Sequence, residues 1–368
     1  MARFISPMKL LILSSQLLVL GFFIYLICPN LYSHSDINDD IADINVDDYI
    51  LVSDGYYKNS ETFSFSEDHI LSGEQNGLEN VLIDDIKGKI CPLVPSTLVG
   101  YRKPDTTQPK SLEEVENNLT QLFDSNQTAD GSWLWQPLQC TPRLMVAILV
   151  PLRNRSGHLL TFLRHIHPFL QRQQIGYRIF VIEQSDKGKF NRAKLLNVGF
   201  VEAMDASLPT RKFDCVVFHD VDHLPEDDRN LYVCPETQAL QLAVAVDIDN
   251  YNLTYANFFG AVSAMSVGNF ERVNGFSNMY WGWGGEDDDM SERLKSAGLR
   301  IARSPAAVGR YTTLAHDAQT KSLARCEMLD GVLRRMDFDG LNGLHYKRLA
   351  LTETRLMTHI LVDIVSPN

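Results

Sequence analysis

Apolar runs and amphipathic segments alternate regularly between residues 143 and 220. RLMVAILVP (143–151), YRIFVIEQ (177–184) and FDCVVFHD (213–220) are short apolar runs, typical of strands buried on both faces. Between them, HLLTFLRHIHPFLQRQ (158–173) and NRAKLLNVGFVEAM (191–204) space their apolar residues about 3.6 positions apart, which predicts two helices. The order strand, helix, strand, helix, strand predicts an α/β fold with a Rossmann-like, mainly parallel sheet flanked by helices.

A long apolar segment lies close to the N-terminus. The stretch 10–28 contains no charged residue, and Arg3 and Lys9 precede it. Because about 20 apolar residues at helical rise match the hydrocarbon core of a bilayer, this stretch predicts a transmembrane signal anchor. A cleaved signal peptide is the alternative, but its cleavage site follows a small-x-small pattern that is not clear before Pro29. The basic flank predicts a cytoplasmic tail over 1–9 and a lumenal position for the rest of the chain.

The composition changes after the anchor. SHSDINDDIADINVDDYI (33–50) and EDHILSGEQNGLEN (67–80) are acidic and show no sustained apolar period. Such segments cannot bury enough apolar surface to fold alone. We therefore expect a mostly disordered lumenal stem over 29–90 and a folded catalytic domain over 91–368.

The net charge argues against one whole class of function. The chain carries a formal charge of −12 at pH 7 and has no run of basic residues. Proteins that bind nucleic acid need a basic surface for the phosphate backbone. We therefore exclude nucleic acid as a partner.

Acidic residues are concentrated directly after the third predicted strand, in FHDVDHLPEDDRN (218–230). Ligands of parallel sheets bind beyond the carboxyl ends of the strands, and an Asp-x-Asp pair placed there is costly unless a cation shares its charge. Magnesium and manganese prefer such carboxylate oxygens and let substrate phosphates complete their coordination. We assign Asp222 to a metal site, whereas a solvated acidic turn that caps a short helix is the interpretation for Glu226–Asp228.

A second acidic cluster follows a glycine-rich turn in NMYWGWGGEDDDMSERLKSAG (278–298). Acidic residues in the first turn of a helix stabilise its dipole, and this accounts for one or two of the four. The remaining acids, with Trp281 and Trp283 beside them, indicate a sugar site, because indole faces stack on sugar rings and a carboxylate can act as a general base.

Five motifs together resemble the β-1,4-galactosyltransferase family, which includes related β-1,4-N-acetylgalactosaminyltransferases. They occur in order and at suitable spacing, and WGWGGEDDD is the most specific of them. The resemblance implies an A-type glycosyltransferase fold and a Golgi type II membrane enzyme. Such an enzyme uses a UDP-sugar with manganese, or magnesium in its place, and inverts the anomeric centre. The motifs are PLRNR (151–155), FNRAKLLNVGF (190–200), FHDVDHLPEDDRNLYVC (218–234), FFGAVSAMS (258–266) and NGFSNMYWGWGGEDDD (274–289).

The resemblance also implies roles for individual residues. Asp287 resembles the catalytic base that takes the proton from the acceptor O4, and Asp222 and His316 resemble the protein ligands of the metal. Trp283 resembles the indole of a mobile loop that closes over the donor. The residues that resemble nucleotide and diphosphate contacts are Pro151, Leu152, Arg153, Asn154, Arg155, Phe190, Asn191, Arg192, Val221, Asp222, Trp283 and His316. Those that resemble sugar contacts are Phe258, Gly285, Glu286, Asp287, Asp288 and Arg325.

Cysteine pairing is a further implication of the resemblance. Cys91 with Cys140 and Cys215 with Cys234 resemble the two disulfides of the family. This leaves Cys28 and Cys326 unpaired.

Two positions depart from the pattern of the family. Many members have a methionine three residues before the metal-binding histidine, where this chain has Thr313. Thr313 is either a weaker, harder ligand or no ligand, with water in that position. At Phe258 vertebrate members have a tyrosine that borders the donor C2 substituent, and smaller aliphatic residues there are associated with N-acetylgalactosamine.

The sequence therefore predicts metal-dependent, inverting transfer of galactose from UDP-galactose to O4 of a terminal N-acetylglucosamine on glycoproteins or glycolipids. Phe258 keeps the bulk of tyrosine, which favours galactose, and UDP-N-acetylgalactosamine is the alternative donor. A metal-dependent hydrolase and a catalytically idle sugar-binding protein are the other classes considered. Intact Asp222, Asp287 and His316 weigh against the idle protein, and the lack of motifs for a second metal weighs against the hydrolase.

Overall fold

A computed structural model of the chain describes residues 90–120, 133–206, 212–317 and 325–364. The strands are β1 (Met145–Leu152), β2 (Gly176–Gln184), β3 (Cys215–His219), β4 (His223–Pro225), β5 (Gln238–Gln241), β6 (Ala245–Val246), β7 (Val262–Ser266), β8 (Arg300–Arg303), β9 (Arg310–Thr313), β10 (Lys347–Glu353) and β11 (Thr358–Asp363). The α-helices are α1 (Leu112–Leu119), α2 (Ser156–Arg172), α3 (Arg192–Asp205), α4 (Val267–Arg272), α5 (Glu286–Ser296), α6 (Arg325–Leu329) and α7 (Val332–Arg335). The three strands and two helices predicted between residues 143 and 220 are thereby confirmed.

The central sheet has eight strands in the order β10-β11-β2-β1-β3-β7-β5-β8, and β4, β9 and β6 form a smaller sheet. Strands β11, β2, β1 and β3 are parallel to their neighbours in that group. However, β10, β7 and β5 introduce antiparallel pairings, while β5 and β8 pair in parallel at the edge. The sheet is therefore mixed, and the prediction of a mainly parallel sheet holds only in part.

Helices α2 and α3 cover opposite faces of this sheet. Alternate residues of β1 belong to two buried clusters, Val146, Ile148 and Val150 to one and Met145, Ala147 and Leu149 to the other. The first cluster includes the apolar side chains of α2, and the second includes those of α3. A strand with both faces buried reads as a continuous apolar run, which is why β1 was recognisable in the sequence.

The parallel strands bring three motifs to one edge of the sheet. The PLRNR motif begins at the carboxyl end of β1, Phe190 and Asn191 follow the end of β2, and Asp220–Asp222 follow β3. Since the carboxyl ends of parallel neighbours lie on the same edge, the topology places these segments side by side.

Both disulfides implied by the resemblance are present, Cys91 with Cys140 and Cys215 with Cys234. Cys326 is also disulfide-bonded, so the expectation that it is unpaired is wrong; its partner lies outside the described residues. The predicted anchor (10–28), tail (1–9) and nearly all of the stem (29–90) also lie outside them. None of the helices that the structure describes has the length and apolar character required to span a membrane.

Candidate active site

Asp222 lies at the centre of a cluster of cationic side chains. Its carboxylate is 3% exposed and accepts a hydrogen bond from Nη1 of Arg155 at 2.5 Å. Nδ1 of His223 lies 2.9 Å from Oδ1, and Nε2 of His316 lies 2.9 Å from Oδ2. The structure thus brings together two residues predicted to hold the metal, Asp222 and His316, from segments that are far apart in the sequence.

This surrounding sets the protonation of Asp222. Burial by itself raises the pKa of the carboxyl group, but the hydrogen bond from His223 and the charges of His223, Arg155 and His316 outweigh it. The pKa of Asp222 therefore lies far below its ordinary value. Burial lowers the pKa of His223, yet the hydrogen bond to Asp222 reverses this and raises it overall. Asp222 is consequently a carboxylate over the whole physiological pH range.

The donor atoms around Asp222 suit a divalent cation. Asp220, Asp222 and His223 offer ligand atoms within 4.8 Å of one another. Thr313 pairs with His223 across β9 and β4, and its buried Oγ1 forms no hydrogen bond with the described residues. Carboxylate oxygens with an imidazole and a free hydroxyl form a set that manganese or magnesium accepts. The hydroxyl of Thr313 is thus available as a further oxygen ligand.

The PLRNR segment links β1 to α2. Arg155 precedes the first turn of α2 and points to Asp222, whereas Asn154 is exposed and has a φ of 54°. Arg153 donates to the carbonyl of Gly188 at 2.5 Å, and its guanidinium lies 5.2 Å from the centre of the Phe190 ring. Pro151 and Leu152 are buried at the end of β1. The segment therefore provides cationic groups beside the Asp222 cluster.

Arg192 connects the Asp222 loop with the second acidic cluster. Its Nε donates to Oδ1 of Asp220 at 2.5 Å, and its Nη1 lies 3.8 Å from Oε1 of Glu286. It is the first residue of α3, and the preceding Asn191 caps that helix by accepting from the amide of Lys194 at 2.8 Å. Because one guanidinium contacts both loops, the two acidic clusters predicted from the sequence form a single site.

The glycine-rich turn before α5 has an unusual backbone. Gly282, Gly284 and Gly285 have φ values of 92°, 95° and 101°, which only glycine adopts readily. The amide of Gly282 donates to the carbonyl of Phe190 at 2.8 Å. Trp283 is 51% exposed, and the guanidinium of Arg325 lies 5.9 Å from its ring centre. The structure thus places the predicted residues Trp283 and Arg325 together on the surface beside the site.

The first turn of α5 carries Glu286, Asp287 and Asp288 at the site. The hydroxyl of Tyr255 donates to Oδ1 of Asp288 at 2.8 Å and lies 3.4 Å from Oδ2 of Asp287. Burial and then the charge of Asp287 raise the pKa of Glu286 to about 8 and that of Asp288 to about 7. Protonation of Glu286 and Asp288, on either side of Asp287, thus reduces the repulsion among these three carboxyl groups.

Phe258 and Asp287 meet at Gly260. A Cβ atom on Gly260 would lie 2.7 Å from Cε2 of Phe258 and 2.9 Å from Oδ2 of Asp287. The Phe258 ring also packs edge-on against Tyr255, with ring centres 5.4 Å apart. The residue predicted to border the donor sugar is therefore adjacent to the predicted base.

Asp289 differs from its three neighbours because it faces the protein interior. It is completely buried and accepts hydrogen bonds from Arg293 at 2.6 Å, from Tyr280 at 3.0 Å and from Arg335. Replacing Asp289 with alanine should lower the free energy of unfolding by about 3–5 kcal/mol, because two buried guanidinium groups lose one of their two carboxylate partners and keep only Asp339. Urea denaturation of the variant tests this, with Glu292→Ala on the same helix as the control. A loss below about 1 kcal/mol would show that the buried cluster contributes little.

Glu226, Asp227 and Asp228 are buried, so the prediction of a solvated, helix-capping turn is wrong. Glu226 pairs with Arg310 at 3.0 Å and also accepts hydrogen bonds from Tyr251 and Thr312. Asp227 pairs with Arg229, and Asp228 pairs with Arg172 and accepts from the amide of Gly100 at 2.7 Å. The partners of Glu226 and Asp228 come from distant segments, which the local acidic pattern could not reveal.

Several side chains of the site were not singled out from the sequence. His158 lies on α2 with its ring centre 6.5 Å from that of His316, and Tyr255 and His223 contact the two predicted functional carboxylates. The only sequence signal for them was proximity to the motifs. His165 and His167 instead make structural contacts, to the carbonyl of Pro225 and the hydroxyl of Tyr177.

Comparisons with known proteins give a consistent result. Residues 91–235 match the family model of the N-terminal region of glycosyl transferase group 7, and residues 240–317 match a domain model of galactosyltransferase. The chain is 41% identical over 281 residues to β-1,4-galactosyltransferase 2 of Cricetulus griseus, covering 75% of this chain and 73% of that protein. It is 43% identical over 250 residues to human β-1,4-galactosyltransferase 3, covering 67% of this chain and 63% of that protein.

A solved structure is similar as well. A mutant of Drosophila β-1,4-galactosyltransferase 7, in complex with manganese, UDP-Gal and xylobiose, is 31% identical in sequence with a TM-score of 0.52. The similarity covers 61% of this chain and 95% of that one.

Proposed function

Because the chain belongs to the β-1,4-galactosyltransferase family, we propose that it transfers galactose from UDP-galactose to O4 of terminal N-acetylglucosamine on glycoconjugates, with inversion at C1. Family membership confirms the resemblance noted in the sequence. The observation that carries the proposal is the double contact of Arg192, which joins the loop of Asp222 to the helix of Asp287. The cationic donor side and the acidic acceptor side of the site thereby share Arg192.

The donor side is built for a nucleoside diphosphate. Arg155 and His316 both contact the Asp222 carboxylate, and each is partly exposed toward solvent. Guanidinium and imidazole groups bind phosphate oxygens, and the cation that Asp222 holds supplies positive charge to the leaving diphosphate. Asp222 and His316, with Thr313 as a weaker oxygen ligand, would hold that cation. The Drosophila relative was solved with manganese and UDP-Gal, which supports the same pair here.

The acceptor side is built for proton transfer. Asp287 lies in the first turn of α5, where the helix dipole favours a carboxylate. In the proposed mechanism Asp287 removes the proton of the acceptor hydroxyl, and the oxygen attacks C1 of the donor sugar from the side opposite UDP. Tyr255 orients Asp287 and Asp288, and the indole of Trp283 excludes water that would otherwise act as the acceptor.

The choice between donor sugars depends on Phe258. Its ring lies against Gly260 beside Asp287, so its bulk limits the space next to that carboxylate. Purified full-length protein with manganese and an N-acetylglucosamine acceptor should turn over UDP-galactose faster than UDP-N-acetylgalactosamine. Phe258→Leu removes the ring and should shift the ratio of kcat/KM values toward UDP-N-acetylgalactosamine by about tenfold or more.

The same assay separates the other functional classes. A linkage-specific β-1,4 product that is lost on chelation supports the transferase. Faster turnover of UDP-N-acetylgalactosamine by the wild type would instead support the alternative donor. Hydrolysis that does not depend on the acceptor would indicate a metal-dependent hydrolase, and binding without turnover would indicate an idle sugar-binding protein.

We also propose that the protein acts on glycoproteins or glycolipids in the Golgi lumen. The support is the uncharged stretch 10–28 with basic residues before it, together with the two disulfides, which form in oxidising compartments. Microscopy of the full chain with a C-terminal tag, with protease protection of that tag in intact Golgi vesicles, tests the location and the orientation.

A further inference from the structure

Asn278 lies three residues before Trp281, where the chain enters the glycine-rich turn. Its backbone N–H and C=O and its side-chain amide all form hydrogen bonds. Its backbone N–H donates to Oδ1 of Asp339 at 2.8 Å, and its side-chain Nδ2 donates to the carbonyl of Gly340 at 2.7 Å. Its Oδ1 accepts from Asn197 at 2.9 Å, and its carbonyl accepts from Asn191 at 2.8 Å.

Two of these partners lie at α3, on the donor side of the site. Asn191 and Asn197 both lie on or next to α3, whose first residue is Arg192. Asn191 caps this helix with its Oδ1 and contacts Asn278 with its Nδ2, so one side chain fixes both the helix start and the loop. Asn197 also binds the amide and the carbonyl of Phe276. The chain before the turn is therefore held on α3.

The partners on the other side lead to the acceptor helix. Asp339 binds Arg335 at 3.0 Å, and its carbonyl accepts from Arg293 at 2.8 Å. Both arginines bind Asp289, two residues after Asp287 on α5. A continuous series of hydrogen bonds thus runs from Asn191 through Asn278 to the helix that carries Asp287.

We propose that Asn278 is a positioning residue. It fixes the glycine-rich turn 282–285 relative to α3 on the donor side of the site and to α5 on the acceptor side. The inference rests on the proposed function for its kinetic part. Gly282, Gly284 and Gly285 lose more backbone entropy on ordering than other residues do, so the turn needs external hydrogen bonds to keep one conformation. Asn278 provides these bonds at the entry to the turn without touching the proposed substrates.

Hydrogen exchange on Asn278→Ala in the full-length protein tests the positioning role without using activity. Asn230→Ala is the matched control, because Asn230 is also an asparagine with several hydrogen bonds, to Leu242, Tyr311 and Ser304, on another part of the fold. We expect the amides of 281–285 to exchange at least about tenfold faster in Asn278→Ala than in the wild type. In Asn230→Ala the exchange of these amides should stay as in the wild type.

The kinetic measurements compare Asn278→Ala with Asn230→Ala, each below its unfolding temperature. A displaced turn should lower kcat/KM for the acceptor by about 10–100-fold in Asn278→Ala, with little change in the Kd for UDP with manganese. Asn278→Asp keeps the acceptor atom for Asn197 and loses the donor for Gly340, so it should fall between wild type and alanine, and it serves if the alanine variant does not fold. Wild-type exchange at 281–285 in both Asn278 variants would overturn the inference. A wild-type protein that transfers no sugar would instead refute the proposed function and leave the exchange result valid.

Discussion

Asp287→Asn is expected to lower kcat by about 10²–10⁴-fold while the protein stays folded and continues to bind UDP. The amide has nearly the same shape as the carboxylate, so the contact with Tyr255 is kept, but it cannot accept the proton of the acceptor hydroxyl. Initial rates with saturating UDP-galactose and acceptor, together with calorimetric titration of UDP, separate the chemical step from donor binding.

The control for this substitution is Glu271→Gln, which removes an exposed carboxylate on α4. It should leave kcat within about twofold, as surface changes away from a site usually do. If Asp287→Asn kept more than a tenth of the wild-type kcat, another group would have to be the base. Asp288 would then be the first candidate, since it shares the hydroxyl of Tyr255.

Asp222→Asn is expected to remove the dependence of UDP binding on manganese and to lower turnover by about 10³-fold. The carboxylate is buried among Arg155, His223 and His316, so an amide there would leave these groups without their counter-charge. Calorimetric titration of UDP with and without manganese measures the first effect, and initial rates measure the second.

Asp337→Asn, at an exposed position, is the control for charge alone. It should keep the metal dependence and the rate of the wild type. The assignment of Asp222 would be wrong if Asp222→Asn bound UDP more tightly with manganese than without it, to the same extent as the wild type does.

The elements recognised in the sequence are those whose burial is periodic. Strands β1, β2 and β3 are buried along nearly their whole length, and α2 and α3 present an apolar face to the sheet. Strand β10 was not predicted, because all seven of its residues are exposed and its sequence has no apolar run. Local pattern thus identified the centre of the sheet but not its antiparallel edges.

The candidate site was predicted unevenly for a similar reason. Asp222 and Asp287 lie in distinctive motifs, and Arg192 joins the loop of the first to the helix of the second. Asp289 belongs to the same acidic run as Asp287 but points inward to Arg293 and Arg335. Which acids of a run face a ligand depends on the rotation of the helix and on cations from other segments.

The sequence by itself determined the order of strands and helices at the centre, the family, and which segments carry the chemistry, because each depends on residues that are neighbours along the chain. Only the tertiary structure decided that Glu226 and Asp228 form ion pairs while buried, that Arg192 joins the two acidic clusters, and that Asn278 is hydrogen-bonded both to α3 and to Asp339. These contacts join residues tens of positions apart, and their charges are stable in the interior only when the fold supplies an opposite partner.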